Sequence, residues 1–217
     1  MLFLSISAHV GSHSWFPLGA GKTFHPNLPP NWDQPKSWSQ DRPYVFASNG
    51  YPKCARADAK PNSYACPSAG NISKFSDTID MQGTLDDLDY AVGLQKPFFL
   101  AFGAHRPHLP WNVPQQFWDQ YPPTEQIALP AHQVAPKGMP PIAFTYECDG
   151  QTSLVALDAT CKIPYPEAST APPDNITRTL RKGYYSAVTY TDHLIGILLQ
   201  ALKDKGVQDD TVVALIG

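Results

Sequence analysis

Residues 98–102, Phe-Phe-Leu-Ala-Phe, form an unbroken apolar run that ends at Gly103 and gives way to His105, Arg106, Pro107, His108, Leu109 and Pro110. An apolar run of this length, closed by such punctuation, predicts a buried strand. In open α/β sheets ligands bind just beyond the carboxyl ends of the strands. The segment after Gly103 is therefore a candidate wall of an active site. Pro107 and Pro110 stiffen it and exclude a regular helix, which disfavours a helical His-x-x-His zinc pair. Arg106 and His108 suit donation to a tetrahedral oxyanion instead. The plainer alternative is a loop histidine bonded to backbone.

Two helices and a second strand extend the α/β pattern. Between 77 and 95, Ile79, Leu85, Leu88, Ala91, Val92 and Leu94 recur at helical spacing. Thr84 reads as a cap for this helix, and Asp86-Asp87 as a solvated start favourable to the macrodipole. From Asp174 the positions Ile176, Leu180, Tyr184, Ala187, Val188, Thr191, Leu194, Ile195, Leu198 and Leu202 make an amphipathic helix. Asp174 or Asn175 is its expected cap and Gly206 its stop. The run 211–216, Thr-Val-Val-Ala-Leu-Ile, then predicts another buried parallel strand. Residues 114–121 predict one or two helical turns. Asp192 and His193 sit side by side in the long helix, where neighbours point along different faces, so they read as structural.

The remaining sequence is rich in loops. The chain carries 23 prolines among 217 residues, roughly twice ordinary usage, grouped around 26–52 and 107–173. Aromatic residues make up 12%, too many for a disordered chain, so these stretches predict long ordered loops. A net charge of -3 leaves no basic footprint and argues against nucleic acid as a partner. No apolar run approaches the roughly 20 residues that span a bilayer. Residues 1–8 resemble the start of a signal peptide but lack a basic leader.

Four cysteines fall into two local pairs, Cys54 with Cys66 and Cys148 with Cys161. Neither pair has zinc spacing; a bridge closing either loop is worth about 3 kcal/mol in the chain-entropy model. Asn71-Ile72-Ser73 and Asn175-Ile176-Thr177 fit the N-glycosylation pattern. Paired cysteines with sequons point to the secretory pathway, lysosomal or extracellular.

Lys22 and His25, in Gly21-Lys22-Thr23-Phe24-His25-Pro26, stand three apart after a glycine turn. They suit binding of a sulfate or phosphate; the alternative is a surface lysine beside a partly buried histidine.

Taken together, Gly21 to Pro26, Lys96 to Pro110, and Arg181 to Asp192 with its continuation into 211–216 resemble the sulfatase family of the alkaline-phosphatase-like superfamily. The order and spacing of the blocks match over about residues 19–217. The resemblance implies an α/β fold: an alkaline-phosphatase-like sandwich with a mostly parallel central sheet, incomplete in this chain. Residues 1–18 form an atypical N-terminal segment, and 122–173 a long loop or insert.

The resemblance also implies a chemistry, in which the hydrate of a cysteine-derived formylglycine attacks the sulfate sulfur and Ca2+ on acidic ligands neutralises the oxygens. Lys22 would contact the sulfate or the formylglycine. His25 would bond the formylglycine hydroxyl and assist sulfate release. His108 would face the ester and leaving group, Arg106 would stand on the substrate side, and His105 would shape the loop there. Cys54 and Cys66 would form a local disulfide. The substrate would be a sulfated carbohydrate or another sulfate ester.

The sequence departs from the family at four places. It has no Cys-x-Pro-Ser-Arg, since Cys66-Pro67-Ser68 differs in spacing and position. The early acidic metal pair is absent, as is an Asp-His-Gly after Ile216-Gly217, so the Ca2+ ligands are expected mostly outside this chain. The segment Ser14 to Leu18 replaces the usual lead-in. These departures imply the central part of a sulfatase, inactive alone. The competing readings are a non-catalytic module that binds sulfated glycans, and a phosphohydrolase of the same superfamily.

Overall fold

The structure, a computed structural model, describes residues 15–25, 28–47, 65–134, 136–139, 171 and 173–217. Cys54, Cys148, Cys161 and most of the 122–173 segment lie outside them. The chain divides into two compact units, one of Met1–Tyr51, Ile72–His105 and Thr191–Gly217, the other of Pro52–Asn71 and Arg106–Tyr190.

In the first unit, β1 (Phe16–Gly21) and β3 (Phe98–Gly103) pair in parallel, from Phe16 opposite Phe98 to Gly21 opposite Gly103. Helix α1 (Ser76–Leu94) packs on both strands. The proline- and tryptophan-rich segment docks on β1: Trp38 is buried and sits so close to Gly19 that a Cβ there would lie within 3.0 Å of its indole ring. Trp38, Tyr44, Trp32, Phe24 and Phe46 pack ring to ring around this point. The Trp38 indole N–H donates to the Trp32 carbonyl at 2.7 Å.

Helix α1 confirms the expected element but presents a different face. Its buried stripe runs through Asp77, Asp80, Met81, Thr84, Asp87, Leu88 and Ala91, while Ile79 is 41% exposed. These positions keep helical period, so the stripe is regular. Three aspartates occupy it, and burying carboxylates demands partners. Asp87, expected in solvent, is 1% exposed and accepts from Arg42 Nε at 2.9 Å. Thr84 is no cap: it lies mid-helix, its hydroxyl donating to the Asp80 carbonyl at 2.9 Å.

In the second unit, β2 (Ala65–Ser68) pairs in parallel with β4 (Trp111–Pro114), which runs into the short helix α2 (Gln115–Trp118). Val113, Trp118 and Ala187 form a core bordered by Trp111. Ala187 belongs to α3 (Asp174–Asp204), which crosses from this unit into the first. Gly183 lets α3 approach closely, since a Cβ there would meet the Ala65 Cβ at 2.8 Å. Lys182, 5% exposed, donates to the Pro122 carbonyl at 2.8 Å and lies 5.1 Å over the Trp118 ring. Burial pulls its ammonium below the ordinary lysine range, against the nearby Asp119 and Glu125.

Gly206 ends α3 as expected. It takes φ +66°, its N–H donates to the Lys203 carbonyl at 2.9 Å, and Val207 donates to the Leu202 carbonyl at 3.1 Å. This pair of bonds is the Schellman stop. The expected strand at 211–216 does not form. Val212 and Leu215 are 96% and 82% exposed, and no ladder joins residues 211–217 to another described segment. Apolar residues extend into a strand only where a neighbour satisfies the backbone. All strand pairs among the described residues are parallel.

Candidate active site

Because β1 and β3 run in parallel and in register, their carboxyl ends lie side by side. Lys22 leaves β1 there, and its N–H donates to the Gly103 carbonyl at 2.6 Å. Ala104 and His105 leave β3 beside it. Partial burial pulls the Lys22 ammonium below its ordinary range, and the charge of Asp77 opposes that shift. Asp77 is fully buried and accepts the His105 backbone N–H at 2.5 Å. His25 is exposed, and its carbonyl accepts from the Leu28 N–H at 2.9 Å.

A second carboxylate lies one helical turn on. Asp80 is 2% exposed and accepts the Ala47 N–H at 2.6 Å. Burial pushes its carboxyl up to about 7, with the Ala47 bond pulling down and Asp77 adding to the rise. Beside it, Tyr44 donates its hydroxyl to the Gly21 carbonyl and shares a hydrogen bond with the Thr23 hydroxyl. Burial raises this phenol to about 12, against the Thr23 contacts. Tyr44 thus holds the carboxyl end of β1, while Asp77 and Asp80 hold the His105 and Ala47 amides.

The boundary between the units falls at His105-Arg106, so the other two predicted residues belong to the second unit. Arg106 is 1% exposed; its Nε donates to the Asn112 carbonyl at 2.8 Å and its guanidinium lies 5.8 Å from the Tyr190 ring. The Trp111 indole N–H donates to the Pro107 carbonyl at 2.7 Å, closing the proline loop. His108 is exposed, with Nδ1 2.7 Å from the Leu109 carbonyl. An Nδ1–H bound to a carbonyl leaves the neutral ring's basic lone pair on Nε2.

No group of three or more His, Cys, Asp or Glu that could hold a metal ion occurs among the described residues. Calcium takes 6–8 oxygens; the described residues do not fit that requirement. Cys66 is 2% exposed within β2. Both sequon asparagines are exposed, Asn175 within the first turn of α3. Among the described residues no helix is long and apolar enough to cross a membrane.

Sequence reasoning missed Asp77, Asp80 and Tyr44. A signal was present: Asp77, Asp80, Thr84 and Asp87 recur at the same 3–4 spacing as the apolar residues Met81, Leu88 and Ala91. Reading only apolar residues as the inward face hid it.

Parallel strand pairs packed with helices, with candidate residues at strand ends, define an α/β architecture. Its fold is shared by the phosphonate monoester hydrolase SpPMH from Silicibacter pomeroyi, at a TM-score of 0.58 and 17% identity over 95% of this chain and 45% of that one. This is the alkaline-phosphatase-like fold. A sequence profile of the family Sulfatase matches residues 25–217. The chain is 30% identical to iduronate 2-sulfatase of Homo sapiens and to that of Mus musculus, in each case over 98% of its own length and 39% of the relative's. It belongs to the sulfatase family, and spans about two fifths of the length of these relatives.

Proposed function

We propose that this chain supplies substrate-handling residues of a sulfuric ester hydrolase of the iduronate-2-sulfatase type, which removes sulfate from a sulfated saccharide. The observation that carries this reading is the partly buried Lys22 ammonium at the joined carboxyl ends of β1 and β3. A cation in a site of reduced solvent binds an oxyanion more strongly than one in water. Lys22 neutralises the sulfate oxygens, and His25 assists release of the sulfate. With Nδ1–H anchored on the Leu109 carbonyl, His108 in its doubly protonated form gives the Nε2 proton to the departing alcohol oxygen and is left as the neutral ring. His105 and Arg106 shape the substrate side of the loop, Arg106 through its hold on the Asn112 carbonyl.

Residues 19–217 are assigned to the catalytic domain, with 122–173 as its long loop or insert. Formylglycine and Ca2+ enter the proposal as the groups that sulfatases of this kind use, and no step is routed through them here. In the enzyme that carries this chain, Lys22→Ala is expected to lower kcat/KM for a sulfated saccharide about 100-fold. An unchanged kcat/KM overturns the assignment. Parallel assays of sulfate, phosphate and phosphonate monoesters separate the sulfatase reading from a phosphohydrolase, with the sulfate ester expected to turn over fastest.

The second reading is a module that binds sulfated glycans without cleaving them, with Lys22 at the strand ends as its anion contact. Equilibrium binding with no turnover in the enzyme would select it. The proposal includes the pairs Cys54–Cys66 and Cys148–Cys161, glycans on Asn71 and Asn175, and a secretory-pathway location, lysosomal or extracellular. The burial of Cys66 and the exposure of both asparagines support this. Non-reducing peptide mapping with and without glycosidase tests it, and unbridged, unmodified peptides from a secreting host would refute it.

A further inference from the structure

We propose that Asp77 is a positioning residue for the anion site: its buried carboxylate ties the loop after β3 to α1 and serves as the counter-charge to Lys22. The idea deepens the sulfatase reading, and depends on that reading only for its functional consequence.

Three observations converge on it. Asp77 is fully buried in the first turn of α1, where the helix N-terminus favours a negative charge. Its Oδ1 accepts the His105 N–H at 2.5 Å, which fixes where the chain leaves β3. The Lys22 N–H is bonded to the Gly103 carbonyl, only two residues before His105, so the lysine and the carboxylate belong to the same pair of strand ends. A lysine withdrawn from water tends to lose its proton, and a neutral amine cannot neutralise a sulfate. Asp77 opposes that loss. The other titratable groups at this end of the unit are Asp80 and Tyr44, packed beneath β1, and the imidazoles of His25 and His105. Burial raises both the Asp80 carboxyl and the Tyr44 phenol.

The deciding variant is Asp77→Asn, which keeps an oxygen for the His105 N–H and removes only the charge. In the full chain with dimethylated lysines, the Lys22 methyl signal is followed by carbon NMR against pH. Lys22 is expected to titrate at lower pH in the variant than in the wild type, and Asp77→Glu to restore part of the shift. An identical titration in wild type and Asp77→Asn overturns the proposal. Should Asp77→Asn fail to fold, amide exchange in the wild-type protein still decides the anchoring. The His105 amide is expected to be as protected as those of β3, and exchange at the rate of an open loop overturns the proposal. Inorganic sulfate added to the wild type reports separately on the underlying reading. If it leaves the Lys22 signal unmoved while Asp77→Asn still shifts the titration, the positioning role stands and the sulfate assignment falls.

Discussion

Gly103→Ala is expected to cost more than about 3 kcal/mol and to leave little folded first unit at physiological temperature. A Cβ on Gly103 would fall within 3.0 Å of the Lys22 carbonyl carbon and oxygen and of the Thr23 nitrogen, separations that real Cβ contacts do not show. These neighbours are backbone, so no rotamer change relieves the overlap. The only escape is to part the carboxyl ends of β1 and β3, which breaks the Lys22 N–H bond to the Gly103 carbonyl. Gly21 faces the same constraint from the other strand, with a positive φ of 77° added. The control is Gly93→Ala in α1, where a Cβ meets nothing within 4 Å. That substitution is expected to stabilise by up to about 1 kcal/mol, through helix propensity and a less flexible unfolded chain. Thermal unfolding of the two variants separates the cases, and a Gly103→Ala midpoint close to wild type would refute the close approach.

Asp80→Asn is expected to flatten the pH dependence of stability between about pH 4 and 7 and to make the protein more stable than wild type above neutrality. Burial pushes the Asp80 carboxyl up to about 7 from 3.8. Between those values the folded state holds a proton that the unfolded state has released. Stability therefore falls as pH rises through this window, by at most about 4 kcal/mol. Asparagine keeps an oxygen for the Ala47 N–H and never ionises, so the loss disappears. Asp87, also raised by burial but held against Arg42, leaves a residual slope of the same sign. Urea unfolding at pH 4.5, 6 and 8 measures the difference. Parallel slopes for variant and wild type would show that Asp80 ionises normally in the fold.

The two predictions meet at one place. Gly21 and Gly103 let two strand ends touch, and the carboxylates of α1 brace the junction from which Lys22 leaves. Substitutions that disturb the junction are expected to affect its folding and the proposed anion site together. Arg106 illustrates the same coupling in the second unit. Its Nε donates to the Asn112 carbonyl and its guanidinium faces the Tyr190 ring, so it also holds the loop.

Much of this was legible in the residues. The apolar run at 98–102, the helical repeats of α1 and α3 and the glycine stop at Gly206 are local patterns, and a local pattern is read over a few turns or a few alternating positions. The three blocks that mark a sulfatase are local in the same sense, and their order along the chain carried the family before any coordinates. What no window of sequence contained was the partner of each buried charge. Asp87 meets Arg42 across 45 positions, Asp80 meets the Ala47 N–H across 33, and Asp77 meets the His105 N–H across 28. A carboxylate is stable inside a protein only if such a partner arrives, so its burial is decided by the fold as a whole. The same holds for residues 211–216, whose apolar content announces a strand but whose hydrogen bonds depend on a neighbour. By itself the sequence determined the two long helices, the strand that ends at Gly103 and the family the chain joins. Only the tertiary structure decided which face of α1 turns inward, because that choice depends on contacts between residues far apart in the chain.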